Sequence, residues 1–132
     1  MKPRIRKFLL LSLRLIAAIV LLQTLRFKFT GAPESVYIFS TLNLEPWGRI
    51  GTGIVELIAS VLILWPRFSV WGALLASGVM AGAIISHLTT LGIEVQDDGG
   101  LLFITAIVLL FICLALVYMQ RHKIFSRTLS PT

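Results

Sequence analysis

Residues 47–65 read WGRIGTGIVELIASVLILW, an apolar run that carries a single glutamate, Glu56. An α-helix of this length covers about 30 Å, which is the thickness of the hydrocarbon core of a bilayer. Pro46 and Pro66 flank the run, and a helix accepts a proline at its start and ends at one that follows it. The stretch therefore predicts a transmembrane helix with a carboxylate near the middle of the membrane.

Three other stretches share this length and apolar character. They cover residues 8–29, 69–91 and 101–120. None alternates apolar and polar residues over its length, and each is about twice as long as the roughly 9–11 residues of a barrel strand. The chain is therefore predicted to be all-α, an integral membrane four-helix bundle that forms one domain over residues 1–132.

The composition excludes an ordinary soluble protein. Of the 132 residues, 57% are hydrophobic and only 14% are charged. A soluble chain of this size would leave apolar surface in water, at a cost of roughly 25 cal/mol per Å². The net charge of +6 comes from basic residues beside the apolar runs, which is typical of membrane flanks rather than of nucleic-acid binding. The expected surroundings are thus the lipid bilayer.

The basic residues also predict the orientation. With four spans, both tails and the turn between the second and third spans lie on one side of the membrane. These segments carry Lys2, Arg4, Arg6, Lys7, Arg67, Arg121, Lys123 and Arg127. The opposite side holds five of the six acidic residues. The positive-inside rule therefore predicts that both termini are cytoplasmic.

Two features predict how the spans are connected and packed. In residues 34–44, ESVYIFSTLNL, apolar side chains recur at near-helical spacing, which predicts a short interfacial helix in the first outer loop. The third span carries two stripes of small residues: Ser69, Ala73, Ser77 and Ala81, and Gly78, Gly82 and Ser86. Small residues let helix backbones approach closely, so this span is expected to pack between two neighbours.

Glu56 requires a partner or a function. An ionisable side chain near the bilayer centre costs at least about 2.5–3.5 kcal/mol, and Glu56 lies about 13 Å into its helix. Arg14 enters from the inner side and is within the combined reach of the two side chains, so an Arg14–Glu56 pair is the first choice. Arg49 and Arg26 are the alternatives.

Six residues form a candidate intramembrane polar site. They are Arg14, Gln23, Arg26, Arg49, Glu56 and His87. Gln23, Arg26, Arg49 and His87, with Glu56 beneath them, would line a pocket that opens toward the outer loops. The competing interpretation is that Arg26, Lys28 and Arg49 extend to the interface and that His87 caps a helix end. For Glu56, structural and functional roles both stay open.

Several chemistries are disfavoured. Residues 92–100, GIEVQDDGG, lack the spacing of an EF-hand loop and are interpreted as a solvated turn. His87 and His122 are expected on opposite sides of the membrane, and Cys113 has no second cysteine to pair with. We predict no catalytic residue and no metal site, and the pattern argues against a self-contained enzyme.

Four segments resemble the DoxX family of small bacterial membrane proteins. They are LRLIAAIVLLQTLRFKFTG (13–31), GRIGTGIVELIASVLILWPR (48–67), SHLTTLGIE (86–94) and DDGGLLF (97–103). The resemblance implies a four-helix bundle in the bacterial cytoplasmic (inner) membrane, with charge at Arg14 and Glu56. It implies a non-catalytic accessory subunit, or a partner of a membrane-associated oxidoreductase or oxidative-stress system. The alternative is a binder or carrier of a small lipophilic molecule such as a quinone, in a pocket around Glu56.

Overall fold

The computed structural model describes residues 1–124, which form six helical segments and no strand. The segments are α1 (Pro3–Thr30), α2 (Pro33–Thr41), α3 (Trp47–Leu64), α4 (Ser69–Ser86), a π-helical turn (His87–Leu91) and α5 (Leu101–Met119). The all-α prediction is confirmed. Arg127, which was counted among the inner charges, lies outside the described residues.

Four helices are long and apolar enough to cross a membrane. They cover Pro3–Thr30, Trp47–Leu64, Ser69–Leu91 and Leu101–Met119. The largest difference from the predicted spans is the start of α1, because proline fits the first helical position and the helix begins there rather than near residue 8. With 28 residues, α1 is about 42 Å long. The helix is therefore longer than the roughly 30 Å of the hydrocarbon core.

The four long helices form a ring in chain order. α1 packs against α3, α3 against α4, α4 against α5, and α5 against α1. The centre is filled by small and medium apolar side chains: Ala17, Leu21, Ala59, Ile63, Ala73, Ala76, Ala106, Leu109, Cys113 and Leu116. The result is the predicted four-helix bundle.

The bundle has two chemically different ends. At the tail end, the guanidinium of Arg6 donates to the carbonyl of Met119, and Lys123 Nζ donates to the carbonyl of Pro66 at 3.0 Å. The start of α1, the described residues that follow α5 and the α3–α4 turn therefore lie together. The loop end holds α2 and the loop of residues 92–100. As predicted from the sequence, a short helix, α2, lies between the first two spans, and it contacts α1, α3 and the π-helical turn.

α4 packs between α3 and α5, as its small residues predict. Of the three glycines of α4, only Gly72 is tightly packed, and the stripes of small residues did not single it out. A β-carbon at Gly72 would lie 2.6 Å from the backbone nitrogen of Ile63 and 2.7 Å from the carbonyl oxygen of Ala59. Gly78 and Gly82, in contrast, have no atom of another described helix within 4 Å of such a position. Their expected packing role within the chain is therefore wrong.

Asp98 organises the loop that leads into α5. Its carboxylate accepts hydrogen bonds from the backbone N–H groups of Val95 (3.0 Å), Gly100 (2.8 Å) and Leu102 (3.2 Å). Desolvation raises the pKa of Asp98, but the three N–H donors and the charge of His87 outweigh it and hold the pKa below its ordinary value. The carboxylate thus caps the start of α5 in its ionised form.

We expect Asp98→Asn to lower the free energy of unfolding by about 1 kcal/mol at neutral pH, because it removes the charge and one acceptor from this cap. Folding lowers the pKa of Asp98, so its contribution is complete above the pKa of the unfolded chain and is lost as the pH falls through the folded value. Thermal unfolding in detergent from neutral to acidic pH measures this. Asp97→Asn, at the exposed neighbouring position, is the control, and equal losses from both variants would contradict the assignment.

Candidate functional site

Glu56 is buried, with 1% of its side chain exposed, and its partner is Lys28. Lys28 Nζ lies 2.9 Å from Oε1 and 2.8 Å from Oε2 of Glu56. Thr24, one helical turn before Lys28, places its hydroxyl oxygen 3.3 Å from Oε2. The ammonium group thus bridges both carboxylate oxygens, which supplies the counter-charge that a buried carboxylate requires.

The expected Arg14–Glu56 pair is wrong. Arg14 lies at the end of α3, where its Nε donates to the carbonyl of Ile63 at 2.8 Å and its Nη2 to that of Leu64 at 2.7 Å. The last carbonyls of a helix have no partner within the helix and carry the negative end of its dipole, so they attract a guanidinium. Glu56 lies about two turns earlier on α3, away from this contact.

Arg49, an alternative partner for Glu56, binds Glu45 instead. Its Nε lies 2.9 Å and 3.0 Å from the two carboxylate oxygens of Glu45. Its Nη1 donates to the backbone carbonyl of Lys28. Lys28 therefore contacts α3 twice, through its side chain to Glu56 and through its backbone to Arg49. We call Thr24, Lys28, Glu45, Arg49 and Glu56 the ionic cluster.

The other predicted site residues lie outside the ionic cluster. Gln23 and Arg26 are exposed on α1. His87 is 5% exposed. Its Nδ1 lies 2.8 Å from the carbonyl oxygen of Gly92, and its ring centroid lies 5.5 Å from that of Phe103 in α5. The structure therefore brings Glu56 and Arg49 into one cluster and separates the remaining four residues from it.

The sequence model of the DoxX-like family matches residues 12–119, a range that contains most of α1 and all of the later helices. The chain belongs to the DoxX-like family. The match confirms the resemblance seen in the sequence and, with the four apolar helices, indicates a multi-pass membrane protein in contact with lipid. No curated protein and no solved structure matches the chain.

The sequence analysis of this DoxX-like chain considered Lys28 only in the competing interpretation, as a residue that extends to the interface, and did not identify it as the partner of Glu56. The signal that identifies it is the helical register of α1. Ala17, Leu21 and Leu25 are buried, and Lys28 follows Leu25 by three residues and Leu21 by seven, which places it on the same face. Arg26, on a different face, is exposed.

Two cavities of the DoxX-like protein lie at the tail end. One, of about 300 Å³, is lined by Met1, Arg6, Tyr118, Met119, Arg121 and His122. The other, of about 320 Å³, is lined by Lys7, Leu10, Leu11, Arg14, Pro66, Gln120 and Lys123. No member of the ionic cluster lines either one. Among the described residues, every buried side-chain nitrogen and oxygen has a hydrogen-bond partner.

Proposed function

We propose that this DoxX-like protein is a non-catalytic accessory subunit or partner of a membrane-associated redox or oxidative-stress system. The observation that supports it best is the outward face of α4, where Gly78 and Gly82 are exposed and have open space at their β-carbon positions. Small residues four positions apart let the backbone of a second membrane helix approach closely. This face is therefore suited to a helix of another subunit.

The surroundings of these glycines support the same role. Leu74, Leu75 and Ile85 are exposed beside them, so the face is an apolar surface with a shallow groove. Glycine inside a helix costs roughly 0.5–1 kcal/mol relative to alanine. A face that met only lipid would gain nothing for that cost, whereas a packed partner helix would offset it.

The redox assignment of the partner rests on family resemblance, which is an analogy. The ionic cluster is compatible with it, since its charged groups are bound to each other. They hold α1 against α3, which is the rigidity expected of a scaffold.

The proposal includes an orientation in the bacterial cytoplasmic membrane with both termini in the cytoplasm. The tail end is rich in lysine and arginine, and the acidic residues outside the spans belong to the loop end. In intact cells, a membrane-impermeant maleimide is expected to label Asp97→Cys and to leave Lys2→Cys unlabelled. The reverse pattern would overturn the orientation.

Purification of the tagged chain from its native membrane in a mild detergent tests the partner. We expect a membrane oxidoreductase or thiol-stress protein to be retained, and the Gly78→Leu/Gly82→Leu variant to lose it because leucine fills the groove. Gly51→Leu is the matched control, since Gly51 of α3 also has open space at its β-carbon position. Recovery of the protein without a companion in several mild detergents would count against the proposal.

The alternative function, a binder or carrier of a quinone around Glu56, is favoured by one observation. The Lys28 side chain remains 16% exposed, so this partner of Glu56 is not fully enclosed by the protein. Thermal stabilisation by an added quinone that disappears in Glu56→Gln would favour this alternative. Equal stabilisation of both proteins, or of neither, would exclude the ion pair as the binding site.

A further inference from the structure

The cavity of about 300 Å³ at the tail end lies where the start of α1 meets the end of α5. Arg6 belongs to α1, Tyr118 to the last turn of α5, and Arg121 follows α5. Among the described residues, none that lines this cavity is acidic, and residues 1–33 and 99–132 contain neither aspartate nor glutamate. Two guanidinium groups that are far apart in sequence thus reach one cavity without an acidic side chain beside them.

Arg6 is held at the cavity by α5. Its guanidinium donates to the backbone carbonyl of Met119, the last residue of α5. The last carbonyls of a helix have no partner within the helix and together carry only about half a negative charge, so this contact fixes the side chain and offsets part of its charge. Arg6 makes no ion pair within the described residues. Since a guanidinium has five N–H donors, most of them remain for a ligand.

Arg121 is held by Tyr118. Its Nη1 donates to the carbonyl oxygen of Tyr118 at 2.8 Å, and its guanidinium carbon lies 4.2 Å from the centre of the Tyr118 ring. The quadrupole of an aromatic ring attracts a cation over its face, so the ring restrains the guanidinium without neutralising it. Both cations are therefore placed before an anion arrives, which lowers the entropic cost of binding it.

The cavity lies at the level of the lipid headgroups. α5 has 19 residues and is about 29 Å long, which is close to the roughly 30 Å of the hydrocarbon core. Tyr118 in its last turn is 67% exposed, as expected for an aromatic side chain at the membrane interface. Arg121, two residues beyond the end of α5, therefore lies just outside the hydrocarbon.

An apolar surface continues from the cavity along α5. Phe111, Leu114 and Tyr118 occupy positions i, i+3 and i+7, which share one face of the helix. All three side chains are exposed, so in a membrane this face meets lipid acyl chains. The cavity and the face beneath it thus match the two parts of a phospholipid, a charged headgroup and a hydrocarbon chain.

We propose that this cavity binds the phosphate of an anionic phospholipid. Arg6 and Arg121 donate charge-assisted hydrogen bonds to the phosphate oxygens, and an acyl chain lies along Phe111 and Leu114. Such bonds are strong in the partly dehydrated headgroup layer, where basic pockets between membrane helices suit anionic headgroups. A zwitterionic headgroup is disfavoured, because its cationic group would find no carboxylate in the cavity. The proposal requires membrane insertion and depends on neither the accessory role nor the orientation.

Native mass spectrometry of the full chain in detergent, with added phosphatidylglycerol or phosphatidylcholine of the same acyl chains, tests the site. We expect phosphatidylglycerol to be retained preferentially, and we expect Arg6→Gln/Arg121→Gln to lower its affinity about ten- to thirtyfold. Lys2→Gln/Arg4→Gln is the matched control, because it removes two positive charges from the same end at exposed positions outside the cavity. The control is expected to keep the preference for phosphatidylglycerol.

Arg121→Gln alone separates a loss of binding from a loss of the fold. Arg121 is exposed and contacts Tyr118 of the same segment, so this variant leaves the contact of Arg6 with Met119 intact. We expect it to unfold at the same temperature as the unchanged chain in phosphatidylcholine micelles. Its affinity for phosphatidylglycerol is expected to fall about fivefold, the effect of one cation near the headgroups.

Four results would overturn the proposal. Equal retention of the two lipids would show that no anionic headgroup is selected. Equal losses from the two double variants would show a diffuse charge effect rather than a site. Undiminished binding by folded Arg121→Gln would show that this side chain does not contact the lipid. Displacement of the lipid by inorganic phosphate at comparable concentration would show a site for the free anion.

Discussion

Lys28→Met is expected to lower the free energy of unfolding by about 3–5 kcal/mol, because it leaves the buried carboxylate of Glu56 without its counter-charge. Thr24 offers only a long contact of 3.3 Å, and Arg49 is bound to Glu45 and to a backbone carbonyl. Neither can replace the ammonium without giving up its own contacts. Equilibrium unfolding in mixed detergent micelles, followed by circular dichroism, measures the loss.

A double variant separates the cost of an unpaired charge from the value of the pair. Lys28→Met/Glu56→Leu removes both charges and is expected to recover most of the stability, since a buried ion pair replaced by apolar side chains is often nearly neutral. Arg26→Met is the matched control on the same helix, at an exposed position, with an expected change within about 0.5 kcal/mol. If the double variant were as unstable as Lys28→Met, uncompensated charge would not be the cause.

Gly72→Ala is expected to lower the free energy of unfolding by about 1–3 kcal/mol, the usual range for overpacking a tight interface. The added methyl group would lie 2.6–2.8 Å from the nitrogen of Ile63, the carbonyl oxygen of Ala59 and the β-carbon of Leu62. Two of these atoms belong to the backbone of α3, so a change of rotamer cannot relieve the contact. α3 and α4 would have to separate.

Gly78→Ala is the matched control for Gly72→Ala on the same helix. Its β-carbon position is open, and alanine is the better helix former, so the purified chain is expected to gain roughly 0.5–1 kcal/mol. The two substitutions should therefore change stability in opposite directions in the same unfolding assay. A loss of similar size at both positions would mean that the contact with α3 does not decide the result.

The fold could be predicted because the length of an apolar run is a physical requirement of the bilayer. The four spans and the helix of residues 33–41 follow from the sequence, since backbone hydrogen bonds must be satisfied within each segment in lipid. The start of α1 could not be predicted, because residues 2–7 have the composition of a polar tail. Pro3 is nevertheless a favoured first residue of a helix. Hydropathy locates the part of a helix inside the membrane and not its end.

The partners of the charged side chains were harder to predict. The sequence identified Glu56 as the group that needs a cation, but axial depth alone favoured Arg14. A comparison of axial depths ignores the unpaired carbonyl groups at a helix end. In the structure, the carbonyls of Ile63 and Leu64 accept hydrogen bonds from Arg14. The face of α1 that carries Leu21 and Leu25 would have selected Lys28. The glycines of α4 that pack against α3 could not be predicted either, because the spacing of small residues does not indicate which stripe of α4 faces α3.

The contact between Lys28 and Glu56 has a consequence for how the chain is made. Lys28 is synthesised first. Because it lies near the end of α1, it can extend its ammonium group to the lipid headgroups before α3 is present. Glu56 is synthesised later and lies in the middle of α3, so its side chain cannot reach water in this way. The Glu56 carboxylate becomes favourable in lipid only when α3 packs against α1 and Lys28 supplies the counter-charge. We therefore expect α1 and α3 to associate during membrane insertion before α5 is inserted.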